Sequence, residues 1–317
     1  MSLKILDDKI KSKDISGVYL FYGDEEFDKE RYEEKIKKCF DNLEVGVNLY
    51  ILDKTNIDML ADLCDLVSFL GSKKLIIVKE TGLKFNTSIL DNINEDTTII
   101  IEEKSVDKRT SEWKYLSKNH ICIEFSKLND KEAAQYVIKT LGLYGIRVTP
   151  DVADYMIASC TSDKLLLINE FKKITAYLNS GDELTKDVID YICVKTLNAK
   201  VFDMLDLAVN KKHDKATKKL KELLEQKESA VGISIMLFKQ VKQMYMIKLL
   251  ELDGHISNIA ETLGIHPFVY RKLSYAVKNY TIDELRKILL ELSEYDEKTK
   301  LGEMDMQIGL IQIVTSM

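Results

Sequence analysis

The chain has 317 residues, 45% hydrophobic and 31% charged, with a formal net charge of -6. That length and balance predict a globular protein of two or three domains with ample core. The acidity argues against strong independent binding to nucleic acid, since neutralising phosphates needs a basic surface, although a local basic patch stays compatible with it.

No run approaches the roughly 18 apolar residues of a membrane span. The start, MSLKILDDKI, is charged and lacks the apolar core of a signal peptide. Only two prolines and 13 glycines, beside many Leu, Ile, Lys and Glu residues, predict a mostly helical chain with short connections. Cys39, Cys64, Cys122, Cys160 and Cys193 lie far apart, without a C-x-x-C pair, each in an apolar context. Reduced core thiols in a cytoplasmic protein are the economical expectation.

In chain order, VYLFY (Val18 to Tyr22) is a strand, followed by Gly23 and the helix DEEFDKERYEEKIKKCF. Strand, glycine turn and helix open a doubly wound domain at the point where nucleotide enzymes keep a phosphate loop. A Walker A loop needs spaced glycines and then Gly-Lys-Ser/Thr, so that backbone amides cradle phosphates. Here Gly23 is followed by Asp24, Glu25 and Glu26, which complement the helix dipole themselves and would repel a triphosphate. No nucleotide is expected at this turn.

LYILD (Leu49 to Asp53) is the next strand, and DMLADLCDLVSFLGSKKLIIV (Asp58 to Val78) comes after it. Met59, Leu60, Leu63, Leu66, Val67 and Leu70 recur at helical spacing and form one apolar face. At about 100° per residue, Phe69 falls roughly 120° from the centre of that face. Gly71 and Ser72 break the helix, Lys73 and Lys74 stand where cations suit a helix C-terminus, and Leu75 to Val78 forms a short buried strand. Periodicity leaves two readings of Phe69 open: a cover for the strand edge, or an exposed knob, with Leu70, that docks into a partner.

A polar helix containing Ser88 to Asn92 comes next, then the strand TTIIIEE (Thr97 to Glu103). Glu102 and Glu103 end that strand where a Walker B acid would lie, and are expected to be solvated. A charged helix from Lys104 to His120 carries the sole Trp113, and ICIEF (Ile121 to Phe125) closes an alternating, largely parallel set. From Leu128 the strands stop. Asn129 with Glu132 forms a capping-box start, Thr149 and Pro150 begin a second helix, and KLLLINEFKKITAYL and LTKDVIDYIC supply two more. After TLNAK, seven further segments each carry a 3–4 spaced apolar face, which suits packing or oligomerisation better than chemistry.

His120, His213, His255 and His266 share no metal-ligand spacing, and no nucleophile or metal-hydrolase signature occurs. The acid pairs Glu25/Glu26 and Glu102/Glu103 read as neighbours on exposed element ends, without a pocket to separate their pKa values. IAETLGIHPFVYRKL has the small, turn and core positions of a helix-turn-helix at Ala260, Gly264 and Val269/Tyr270, with Arg271 and Lys272 available to phosphate. Pro267 after the turn and the acidic chain favour two packed helices joined by a tight turn.

Taken in order, VYLFYGDEEFDKE, SFLGSKKLIIVK, IIIEEKSVDKR, INEFKKITAYL, IAETLGIHPFVYRKL and DEKTKLGEMD resemble the delta subunit family of the bacterial DNA polymerase III clamp loader, over nearly the whole chain. The resemblance implies an α/β plus all-α protein. An ATPase-like (AAA+ type) parallel-sheet domain without a phosphate loop would occupy residues 1–127, a helical lid domain 128–197 and a helical collar 198–317. It implies a non-catalytic subunit of a DNA-directed DNA polymerase holoenzyme, with no cofactor or metal. Such a subunit binds the ring-shaped sliding clamp through an apolar pair, here Phe69 and Leu70, and holds one ring interface open. Its collar joins the other loader subunits (gamma/tau and delta prime), and primer-template DNA is held by the assembly. The competing expectations are a helix-turn-helix DNA-binding regulator using 259–273 and a non-catalytic assembly scaffold.

Overall fold

The computed structural model describes residues 2–66, 73–254 and 258–317 and divides into two compact units, Met1–Lys127 and Leu128–Met317. In the first unit, in chain order, are α1 (Ser2–Ser12), β1 (Gly17–Tyr22), α2 (Glu26–Lys37), β2 (Leu49–Leu52), α3 (Met59–Asp65) and β3 (Lys74–Lys79). A 3-10 turn (Thr87–Asn92), β4 (Thr97–Glu103), α4 (Ser111–Asn119) and β5 (Ile121–Glu124) complete it. The strands form one sheet in the order β2-β3-β4-β1-β5, every described pairing parallel.

Strand alternation assigns the two faces. Tyr19, Phe21, Leu75, Ile77, Ile100 and Ile123 pack with Leu6, Tyr32 and Ile36 of α1 and α2. Val18, Leu20, Ile76, Val78, Ile99 and Ile101 turn the other way, onto Leu60 and Leu63 of α3 and Leu116 of α4. Every residue of β4 is buried, and so are Lys74 to Val78 of β3. Burial on both faces is why these strands read as unbroken apolar runs rather than alternating ones.

The segments VYLFY, LYILD, LIIV, TTIIIEE and ICIEF all lie in strands, each within about two residues of the expected ends. Besides α3, two stretches differ from the expected helices, and the N-terminal segment adds one. The charged stretch after β4 becomes helical only at Ser111: Asp107 accepts from the Arg109 N–H and guanidinium in the preceding turn, and Thr110 caps the helix through Trp113 N at 3.3 Å. The polar helix around Ser88 is a 3-10 turn, capped by Asn86. The charged start MSLKILDDKI folds as α1, its Leu6 fully buried.

The second unit is all-helical. It begins with α5 (Asp130–Leu143), α6 (Pro150–Ser159), α7 (Lys164–Tyr177) and α8 (Lys186–Ile192). It continues with α9 (Leu197–Val209), α10 (His213–Glu225), α11 (Ala230–Leu252), α12 (Ile259–Thr262), α13 (Pro267–Val277), α14 (Ile282–Lys300) and α15 (Met306–Ser316). The Asn129/Glu132 capping box is complete in both directions, each bond 3.0 Å, and Pro150 starts α6. Two apolar clusters fill the unit, one among α5 to α8 and one among α9 to α15.

Phe268 of α13 belongs to the first of these clusters, its ring edge-on to Tyr155 of α6 at 5.5 Å. The Lys272 ammonium lies 5.0 Å from the Phe202 ring and 5.2 Å from that of Phe268, while Arg271 faces Asp151 at 3.8 Å. The helix that a helix-turn-helix would insert into DNA is therefore packed against α6, and α12 before it is a single turn. The segment 259–273 is two packed helices joined by a tight turn, and Pro267 merely occupies the first position of α13, where its missing N–H costs nothing. Phe268→Ala should destabilise the unit by about 3 kcal/mol, the usual cost of emptying a buried phenyl site, measured as a lowered urea midpoint by far-UV circular dichroism.

Candidate functional site

The turn from β1 into α2 is where a phosphate loop would lie. Gly23 has φ +120°, and a Cβ there would stand 2.1 Å from the Phe125 carbonyl oxygen. Its N–H donates to the Glu103 carbonyl at 3.1 Å, and the N–H of Glu25 donates to the Phe125 carbonyl at 2.9 Å. Amides that would face a phosphate in a nucleotide enzyme are thus bonded to the ends of neighbouring strands. Glu26 pairs with Lys29 at 2.9 Å, and Lys29 is itself buried.

The acids at the strand ends are buried, contrary to the solvated ends expected from sequence. Glu25, Glu102 and Glu103 are all under one-tenth exposed. Glu103 accepts from Thr81 Oγ1 at 2.9 Å and from Leu83 N at 3.2 Å, which fastens the turn after β3. Glu102 shares Lys79 with Glu33 of α2: Lys79 Nζ lies 3.2 Å from Glu102 and 2.8 Å from Glu33, and Lys37 is 2.7 Å from Glu33. These partners come from β3, β4 and α2, so no sequence neighbourhood announces them.

Burial pushes the Glu102 carboxyl up to about 7; the Glu33 charge and a hydrogen bond to Glu33 add to the rise, and Lys79 opposes it. Burial works against the Glu33 carboxylate too, but bonds from Lys37, Lys79 and Glu102 outweigh it and hold that group below its ordinary value. Burial and the nearby Glu33 charge therefore favour the protonated form of Glu102 near neutrality. Its Oε1 atom is buried with no hydrogen-bond partner among the described residues.

Because the folded Glu102 binds its proton more tightly than an ordinary glutamate at 4.5, its contribution is fully present below about pH 4.5 and is lost as pH rises through about 7. Glu102→Gln, a permanent neutral donor, should remove that loss. Above pH 7 it should be more stable than wild type by on the order of 2 kcal/mol, with the difference closing toward pH 4.5, in urea melts across pH.

The third feature is α3 together with the connection into β3. Of the apolar stripe expected from Met59 to Leu70, the described part forms α3, which ends at Asp65 with Leu66 extended, ψ 118°; Val67 and Leu70 lie outside the described residues. Leu60, Leu63 and Cys64 face the sheet, whereas Met59 and Leu66 are each 50% exposed. What ends the helix is a lysine. Lys74, the first residue of β3 and 1% exposed, donates from Nζ to the carbonyls of Leu63 and Leu66, the latter at 2.6 Å. The cation expected at this helix C-terminus is present, supplied from the adjoining strand, while Lys73 reaches the Lys13 carbonyl at 3.1 Å. Phe69 and Leu70 themselves lie outside the described residues, between two ends that are described.

Of the four histidines, His120, His213 and His266 are described and lie on separate elements. His266 caps α13, its Nδ1 accepting from Phe268 N at 3.1 Å. Among the described residues no group of His, Cys, Asp and Glu could hold a metal, no helix is long and apolar enough to cross a membrane, and all five cysteines are free.

A five-stranded parallel sheet whose first turn lacks the Walker A residues, in a chain that continues as an all-helical unit, defines an ATPase-like (AAA+ type) fold without a phosphate loop. Residues 19–126 match the family model for the DNA polymerase III delta subunit, and residues 198–317 match the model for that subunit's C-terminal domain. The chain belongs to the DNA polymerase III delta-subunit family. It is 21% identical to the DNA polymerase III subunit delta of Bacillus subtilis, over 95% of this chain and 92% of the relative. It is 23% identical to the probable subunit delta of Aquifex aeolicus, over 94% and 90%. Among solved structures it resembles the Bacillus subtilis DNA clamp loader delta protein with a TM-score of 0.66 at 20% identity, covering 100% of this chain and 99% of that one.

Proposed function

We propose that the chain acts as the delta subunit of a clamp loader: it binds the sliding clamp through Phe69 and Leu70 and holds one ring interface open for placement on primed DNA. The observation that carries this reading is the surplus aromatic. α3 satisfies its inward face with Leu60, Leu63 and Cys64 and then stops, so Phe69 and Leu70 come after a helix that has already completed its core contacts. In sequence the pair follows a helix whose inward face is already filled, which suits a docking role.

The body behind that knob is read as a non-catalytic subunit that binds no nucleotide. At the β1–α2 turn the amides of Gly23 and Glu25 are bonded within the protein, and Walker A residues are absent. ATP on neighbouring subunits would then control when the knob is presented. The domain reading is an ATPase-like domain to residue 127, a lid over 128–197 and a collar over 198–317. The separate apolar clusters of α5 to α8 and α9 to α15 support the division of the helical unit.

The collar also offers a surface for the other loader subunits. α11 is apolar nearly all round its 23 residues, which is the signature of a helix covered on every side. Yet Val231 and Ile235 remain exposed beside a groove they share with Phe238 and Leu292, rimmed by Asp296 and Lys300. Ile235→Asp should leave the isolated chain folded and cut its assembly with the other subunits by about tenfold or more, read by sedimentation of the reconstituted loader.

The direct test of clamp recognition is the purified chain against its sliding clamp, wild type beside Phe69→Ala/Leu70→Ala. Each side chain is worth roughly 1.5–3 kcal/mol if fully desolvated, so the double variant should weaken binding by about a hundredfold or more. Unchanged affinity would refute the assignment of the pair.

A further inference from the structure

We propose that a row of exposed lysines along α10 binds the phosphate backbone of duplex DNA without regard to sequence, a contact separate from the docking reading of Phe69 and Leu70. Between residues 211 and 221, Lys211, Lys212, Lys215, Lys218, Lys219 and Lys221 stand against a single acid, Asp214, in a chain whose formal net charge is -6. Ala216, Leu220 and Leu223 bury one face of the helix. At about 100° per residue, Lys215, Lys218 and Lys221 all fall on the opposite half. They follow one another three residues apart, as surface neighbours with about 5–6 Å between their Cβ atoms.

The charge order of α10 works against the helix itself. Its lysines come first and Glu222 and Glu225 fill the last turn, the reverse of what the helix dipole favours. The charged helix α14 does the opposite. Asp283 and Glu284 open it, Lys298 and Lys300 close it, and those lysines meet Glu294 and Asp296 at 2.6 Å each. Along α10, Lys219 lies 3.6 Å from Glu222, whereas Lys215, Lys218 and Lys221 are exposed and enter no ion pair among the described residues. Like charges three or four residues apart repel, so the row lowers helix stability and helix stability does not account for it. A regular line of phosphates does, because each ammonium that neutralises one releases a counterion. The lysine ammonium is a compact point charge, suited to phosphate oxygens rather than to forked recognition of carboxylates or base edges. No aromatic residue occurs from Lys211 to Lys221, so the row offers unstacked bases no platform, and the backbone of a duplex is the partner it fits.

The test titrates a labelled duplex of two helical turns with the full-length chain, by fluorescence anisotropy over a series of salt concentrations. Wild type should bind with a log–log salt slope of about -3 or steeper, roughly -0.9 for each phosphate neutralised. Lys215→Gln/Lys218→Gln/Lys221→Gln should weaken binding about tenfold or more at low salt and flatten the slope by about 3. Lys139→Gln/Lys287→Gln/Lys298→Gln, which removes the same charge elsewhere in the helical unit, should bind as wild type does. Urea melts by far-UV circular dichroism should show the α10 variant at least as stable as wild type, since its substitutions relieve repulsion. No duplex binding by wild type, an unchanged slope in the α10 variant, or equal losses in both variants would overturn the proposal. So would an α10 variant that keeps duplex binding but no longer assembles with the other loader subunits, which would make the row a protein interface. The Phe69/Leu70 assignment is read separately, by clamp affinity, so either can fail alone.

Discussion

Strands β3 and β4 are buried on both faces, and that constraint decides where every polar group at their ends must go. A parallel sheet covered on both sides gives its central strands no solvated margin. Lys74 at one end of β3 must therefore find carbonyls, and it finds those at the end of α3. Lys79 at the other end meets Glu33 and Glu102, and Glu103 closes on Thr81 and Leu83. The same core that stabilises the domain thereby shapes both the β1–α2 region and the base of the docking connection.

The same constraint shapes the turn after β1. In a nucleotide enzyme the turn after β1 keeps its amides free for phosphate. Here the strand ends supply the acceptors, Lys79 and Lys37 pair the acids buried nearby, and burial raises the Glu102 carboxyl toward its neutral form. The sheet is complete without a triphosphate. In the helical unit, Val231 and Ile235 of α11 remain exposed.

Local chemistry was legible in the sequence wherever one element contains its own reasons. The five strands, the capping box at Asn129, the proline start of α6 and the helices after Thr196 all arise from neighbouring residues. The missing phosphate loop was legible in the same way, as a composition of acids after Gly23. What escaped depends on partners distant in sequence. Glu102 and Glu103 look like a solvated strand end until Lys79, Glu33 and Thr81 are brought to them. That α3 stops at Asp65 escaped because periodicity counts apolar positions and cannot register a lysine, nine residues beyond Asp65, that takes the carbonyls of Leu63 and Leu66. The double lysine at 73 and 74 did signal a helix C-terminus; only its source, a buried strand, was hidden.

The central claim is that this chain prefers the open ring, since a ligand shifts an equilibrium only through differential affinity for its two states. The most direct measurement compares its affinity for the intact sliding clamp with that for a clamp variant that cannot close its ring, under matched salt. The account predicts tighter binding to the variant, because no ring interface must be broken. Equal affinity, or a preference for the closed ring, would contradict it.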